Sequence, residues 1–305
     1  MEMMWILIRQ ILQMFLLGGL GFLLFRTGKI TEEGSKGLGN ILIYLALPAT
    51  IINGFLIDRT PEHLWGMLYS AIGAFLLLLI SILISRAFFR KDAIAAFAGA
   101  FSNPGFFGIP LIIASVGQGA VFFAACYVAF LNIGQWTYGV SILTGQPIRS
   151  GFRLKKLIKA PFIIAILTGM FLFLTQIRLP DIVSGVLTTT ASLNTPLAMF
   201  TVGIYLAQTD LLKMIRRKSL YLVSAVRLLL IPLVALALLS LVPPAYHDMK
   251  LVLLIAVSCP VGSNVAVYAQ LHRKDHTYAV ETVVISTLFS IITIPAIVGI
   301  STMIW

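Results

Sequence analysis

Two short segments carry the residue types suited to binding a small polar ligand. One reads Phe101-Ser102-Asn103-Pro104-Gly105-Phe106-Phe107-Gly108-Ile109-Pro110, the other Ser258-Cys259-Pro260-Val261-Gly262-Ser263-Asn264. Proline removes a backbone donor and clashes with the preceding turn, and glycine adds conformational freedom, so each segment should interrupt the helix that contains it. A helix resumed after such a break presents unsatisfied N–H groups and a partly positive dipole end, which suits an anionic group such as a carboxylate. Asn103 and Asn264 add amide donors and acceptors. The competing account is that the prolines and glycines only kink two helices for packing and the asparagines cap freed carbonyls. The occurrence of the two segments as a matched pair favours binding.

The elements that must position these segments are membrane spans. Of 305 residues, 59% are hydrophobic and 11% charged, and the mean hydropathy is +0.99; soluble domains carry about 25% charge, so a water-soluble globular protein is excluded. Ten apolar runs approach or exceed the length a spanning helix needs. They cover 5–25, 38–57, 64–85, 93–116, 120–143, 160–177, 182–206, 220–242, 251–271 and 278–304. The runs are continuously apolar and lack the alternation of barrel strands, so helices are expected. The first run has no small-x-small cleavage site after Phe25 and is counted as a span rather than a leader.

The net charge of +11 would suggest nucleic acid in a soluble protein. Here the basic residues lie in short loops, where topology is the better account and no nucleic-acid partner is expected. Assigning alternate loops to opposite faces puts 17 of the 22 basic residues on one face, which is therefore cytoplasmic. Four lie opposite, and Arg227 falls inside the eighth run. A multi-pass protein of the cytoplasmic membrane with both termini outside follows. The basic connection Arg149 to Lys159 divides the chain into a first five-helix repeat, 1–148, a cytoplasmic linker, 149–159, and a second repeat, 160–305. An odd number of spans per half inverts the second half in the membrane, the arrangement of inverted-repeat transporters. An offset of 148 places Gly21 on Gly169 and Pro48 on Pro196, and an offset of 156 places Pro104 on Pro260.

At about 1.5 Å per residue, Asn103 lies about 15 Å from the inner edge of the fourth run and Pro260 about 14 Å from the outer edge of the ninth. Unwound backbone near the midplane is tolerated only inside protein or along a watery cavity. Asn132 and Gln135, three apart on the fifth run, share a helical face and form a second rank of candidates. Asn40, Asn53, Asn194, Thr195 and Gln270 are further intramembrane polar residues, each more readily explained by interhelical hydrogen bonds. Arg227 and Glu281 are charged residues at membrane depth that could meet: a site for a substrate carboxylate or a coupling proton is one reading, and a structural ion pair or snorkelling is the favoured one.

Other chemistry is poorly served. His63, His247, His272 and His276 fall in predicted loops, and Cys126 and Cys259 lie in apolar runs without C-x-x-C spacing, so neither metal nor disulfide is expected. No paired acidic residues or intramembrane histidine support a membrane-embedded enzyme. A channel is disfavoured because the single-chain repeat already explains the polar breaks.

Asn103-Pro-Gly-x-x-Gly-x-Pro110, the Pro260-x-x-x-Asn264 segment, and the tail Ser286-Thr287 to Ile294-Pro295 together resemble the auxin efflux carrier family over essentially the whole chain. The resemblance implies an all-α secondary carrier of two inverted five-helix repeats, with a scaffold, a transport domain and an elevator-like motion. It implies that broken helices four and nine cross at Pro104 and Pro260, with Asn103 and Asn264 nearest the substrate. Gly105, Gly108 and Pro110 shape the backbone, and Gly262 completes the second segment. Bacterial members are associated with malate, malonate and similar acids, whereas plant members with long central loops export auxin. The central loop here has about 16 residues, closer to a small-anion carrier. The expected partners are an organic-acid anion and the bilayer; a homodimer is left open. No cofactor is expected, and H⁺ or Na⁺ coupling is left open, although the lack of an intramembrane aspartate gives sodium no support. A bile-acid-type sodium symporter is the alternative, which would bring a richer set of acidic and amide ligands.

Overall fold

The computed structural model describes residues 2–147 and 159–305. Most of the expected linker, 149–159, lies outside the described residues. Those described are helical, with no extended strand among them. Six helices are long and apolar enough to cross a membrane: α1 (Glu2–Arg26), α2 (Glu32–Gly54), α3 (Pro61–Phe88), α6 (Gln118–Thr144), α11 (Lys218–Leu239) and α14 (His276–Ile304). They correspond to the first, second, third, fifth, eighth and tenth apolar runs.

The other four runs take different forms. The fourth is two helices, α4 (Ala93–Ala100) and α5 (Pro104–Ser115), and the ninth is α12 (His247–Ser258) and α13 (Asn264–Leu271). The sixth is the single helix α7 (Pro161–Thr175). The seventh, expected as one span, is instead α8 (Asp181–Ser192) and α9 (Asn194–Gln208), turning at Leu193. Pro196 supplies the reason, because its ring cannot accommodate the carbonyl four residues back at Ser192. Pro48 acts likewise on α2, where the wider turn Leu42–Ala46 precedes it. A short helix, α10 (Leu211–Arg216), leads into α11.

Five of the helices that begin in loops start on capping side chains. Thr31 accepts from the Gly34 amide, Thr60 from His63, Asp92 from Ala95, Asp210 from Lys213 and Asp275 from Tyr278, each satisfying one first-turn donor. Neither α5 nor α13, which begin inside the protein, has such a cap.

The largest buried core draws on α3, α4, α6 and α10 to α14, and contains no fully buried residue from α1, α2, α7, α8 or α9. Two smaller cores join those helices to the rest, one through α1 and α9, the other through α2 and α7. Helix α1 packs on α9 backbone to backbone: a methyl group on Gly21 would lie 2.6 Å from the Phe200 Cα, and one on Gly203 would lie 1.9 Å from the Gly18 carbonyl. Helix α7 packs on α2 with the Phe55 ring pressed onto Gly169, where a methyl group would lie 2.6 Å from the ring. Gly21, Gly203 and Gly169 have room for hydrogen only, so side-chain size there decides how closely the helices approach.

Candidate functional site

The two interrupted helices meet at their breaks. Ser102 and Val261 form an isolated antiparallel bridge, and the Gly262 amide donates to the Phe101 carbonyl at 2.9 Å. A methyl group on Gly262 would stand 2.8 Å from the Ser102 carbonyl oxygen, so glycine is what lets the two backbones touch. Ser102 donates to the Ala256 carbonyl at 3.0 Å, and Ser286 of α14 accepts from the Val261 amide at 3.0 Å. Thus every unwound stretch is tied to protein, as backbone at membrane depth requires.

The local chemistry of each break follows from its proline. Pro104 opens α5 with a wide first turn in which the Phe107 and Gly108 amides both bond to the Asn103 carbonyl, at 3.0 and 3.2 Å. At α13, Val265 and Ala266 bond back to Gly262 and Ser263, both at 3.1 Å. These bonds leave the Gly105, Phe106 and Asn264 amides at two helix N-termini without a side-chain cap.

A cavity of about 450 Å³ opens beside the bridge. Asn103, Pro104, Gly105, Gly262 and Asn264 line it, and so do Asn132 and Gln135 from α6. Pro260 and Gly108 do not: both are buried behind the bridge, where a methyl group on Gly108 would lie 2.9 Å from the Cys259 sulfur. The Asn103 amide donates across the crossing to the Ser263 hydroxyl at 3.0 Å, and the Asn264 amide donates to Gln135 Oε1 at 2.7 Å. The Gln135 side-chain nitrogen is buried and, among the described residues, has no hydrogen-bond partner. Asn132 bonds within its own helix, to the Val128 carbonyl at 2.8 Å.

Among the described residues no aspartate or glutamate lines the cavity, and the charged residue that does is Lys159, near Pro161 and Leu271 at the helix ends. Donors at two positive helix termini, amides and one lysine make a lining that favours an anion. Ser263 was hidden inside a motif read for Pro260 and Asn264. Lys159 was counted only as a topology-setting charge. The aromatic walls, Tyr44, Trp136 and Tyr268, had no signal at all in an aromatic-rich membrane sequence.

The expected meeting of Arg227 and Glu281 does not occur. Glu281 accepts from Arg217 at 3.0 Å, and Arg217 also reaches Asp275 at 3.3 Å and lies over the Tyr278 ring. Arg217 immediately precedes α11, while Arg227 is ten residues along it, about 15 Å deeper, so the carboxylate is met first by the outer arginine. Partial burial works against the Arg217 charge, but its bonds to Glu281 and Asp275 outweigh that and raise its pKa above the ordinary arginine value. Arg227 is wholly buried; its Nη1 and Nη2 donate to main-chain carbonyls, and the Tyr127 hydroxyl lies beside it.

A family described as membrane transport protein matches residues 6–150 and 148–298. The chain is also similar to a Rhizobium meliloti (strain 1021) protein named "Putative malonate transporter", at 26% identity over 298 residues, covering 90% of this chain and 91% of that one. On a match that spans nearly its whole length, the chain belongs to the membrane transport protein family of auxin efflux carriers.

Proposed function

We propose that the protein is a secondary carrier for a small organic anion, a mono- or dicarboxylate, bound where α4/α5 and α12/α13 cross. The observation that carries this reading is the cavity lining: two uncapped helix N-termini and the amides of Asn103, Asn264 and Gln135 converge on a space free of carboxylates. Malonate is the first substrate to try, because the relative bears that name.

The carrier consists of two inverted five-helix repeats. In support, positions related by the offset of 148 pack reciprocally, α1 against α9 and α7 against α2. The family match also falls in two segments that meet at 148–150. The largest core, built without α1, α2 and α7 to α9, suits a transport domain moving as an elevator against a scaffold of those five helices. By the charge rule the Lys159 end of the cavity faces the cytoplasm.

A thermal-shift screen of the purified protein against mono- and dicarboxylates, with and without Na⁺, tests the reading, because a ligand of the native state raises its apparent stability. Malonate-like acids should raise Tm, and Asn103→Ala should abolish that rise while the protein stays folded. Silence across the acids, with a rise for Na⁺ or sterol-like amphiphiles, would instead favour the bile-acid-type sodium symporter.

A further inference from the structure

That reading leaves one buried group unused. Arg227 sits in the wide turn Val226–Leu230 of α11, fully buried at membrane depth. A guanidinium stays protonated in proteins, and an uncompensated charge at such depth is costly. Among the described residues no carboxylate pairs with it.

Beside the neighbouring Tyr127 hydroxyl, its carbonyl partners are the ends of the two half-helices that stop at the crossing. One guanidinium nitrogen, Nη1, donates to the Gly99 and Ala100 carbonyls at 3.1 and 3.2 Å, at the end of α4. The other, Nη2, donates to the Val257 carbonyl at the end of α12. One nitrogen thus serves each helix, and Nε takes no partner. A helix C-terminus carries about half a negative elementary charge, so two together offset about one positive charge. The buried cation is neutralised by backbone.

In carriers built from broken helices, the C-terminal ends of half-helices are where coupling cations are held, while the N-terminal ends face the anionic substrate. Here the first position is filled by a covalently attached cation. We infer that Arg227 is the resident cation of the crossing, a positioning residue that clamps both half-helix C-termini and makes anion binding independent of added Na⁺. It does so without lining the cavity. With the negative ends neutralised, the positive ends of α5 and α13 act on the cavity unopposed. The consequence for transport rests on the carrier reading above; the clamp itself does not.

The test removes the side chain and returns a cation in solution. Purified Arg227→Ala should melt several degrees below the wild type, and millimolar guanidinium, or less effectively Na⁺, should raise its Tm while leaving the wild type unmoved. Malonate should shift the wild type equally in choline and sodium buffers. It should shift Arg227→Ala only when guanidinium is present. Arg227→Lys keeps the charge, and is expected to fold and to bind malonate without Na⁺ even where Arg227→Ala cannot be recovered. A variant indifferent to guanidinium and Na⁺, an Arg227→Met protein that binds malonate like the wild type, or wild-type binding that needs Na⁺ would each overturn the inference. Guanidinium rescue of Tm with no malonate shift in any protein would uphold the clamp and sink the carboxylate reading instead.

Discussion

The two interrupted helices solve one problem with different residues. In the first, the break is short, residues 101–103, and proline follows it directly, so Asn103 stands just before α5 and reaches across to Ser263. In the second, the break is longer, residues 259–263, with proline near its start, so Asn264 is the first residue of α13 and reaches to Gln135 on α6. The offset that places Pro104 on Pro260 places Gly108, not Asn103, on Asn264. Under the proposed repeat the two prolines correspond, and the asparagines beside them do not. Two similar breaks can in this way present an asymmetric surface to an asymmetric ligand.

Breaking the backbone bridge should have the largest effect. Gly262→Val forces a side chain against the Ser102 carbonyl, and overpacking of this kind costs about 3 kcal/mol. Its Tm should fall by many degrees and its malonate shift should vanish. Gly105→Ala, on the other segment, meets only Leu47 at 3.5 Å, and should melt within a degree or two of the wild type. Comparable melting of the two variants, read in one denaturation series, would remove the backbone bridge as the organising contact.

The side-chain asymmetry is tested by double-mutant cycles on malonate affinity. A hydrogen bond to a charged group contributes about 1.5–3 kcal/mol, so Asn103→Ala and Asn264→Ala should each weaken binding about 10- to 100-fold. Asn264→Ala combined with Gln135→Leu should be strongly non-additive, because they share a buried 2.7 Å bond. Asn103→Ala with Gln135→Leu should be additive. Equal coupling in both cycles would mean that the asparagines serve one undivided network.

The smallest effect is expected away from the crossing. Glu281→Gln removes one arm of the Arg217 network, and since Arg217 is 40% exposed the loss should be about 1 kcal/mol or less and should shrink with added salt. Combined with Arg227→Met its effect on Tm should simply add, since the two residues do not touch. Coupling between them would restore the direct pair that the sequence suggested.

Much of this was legible in the sequence for reasons of solvent and backbone. Lipid offers no partner for a free peptide group, so the long apolar runs had to be helices and the Pro/Gly segments had to break them where protein could cover the damage. The prolines at 48, 104, 196 and 260 act through local geometry, which needs no knowledge of neighbours. Even so, the turn at Leu193 was missed, because a single proline in an apolar run does not announce whether its helix bends or stops.

Which groups meet is a matter of packing. Ten apolar runs, two broken helices and the candidates Asn103 and Asn264 follow from the order of residues alone. The sequence paired Arg227 with Glu281 on depth alone, and the fold pairs Glu281 with Arg217 and spends Arg227 on the carbonyls of two distant helix ends. Those carbonyls belong to Gly99, Ala100 and Val257, ordinary residues whose side chains carry no sign of the role. A main-chain acceptor becomes distinctive only when a helix stops and its end is aimed at a neighbour, and that is settled by packing between segments 30 to 128 residues apart.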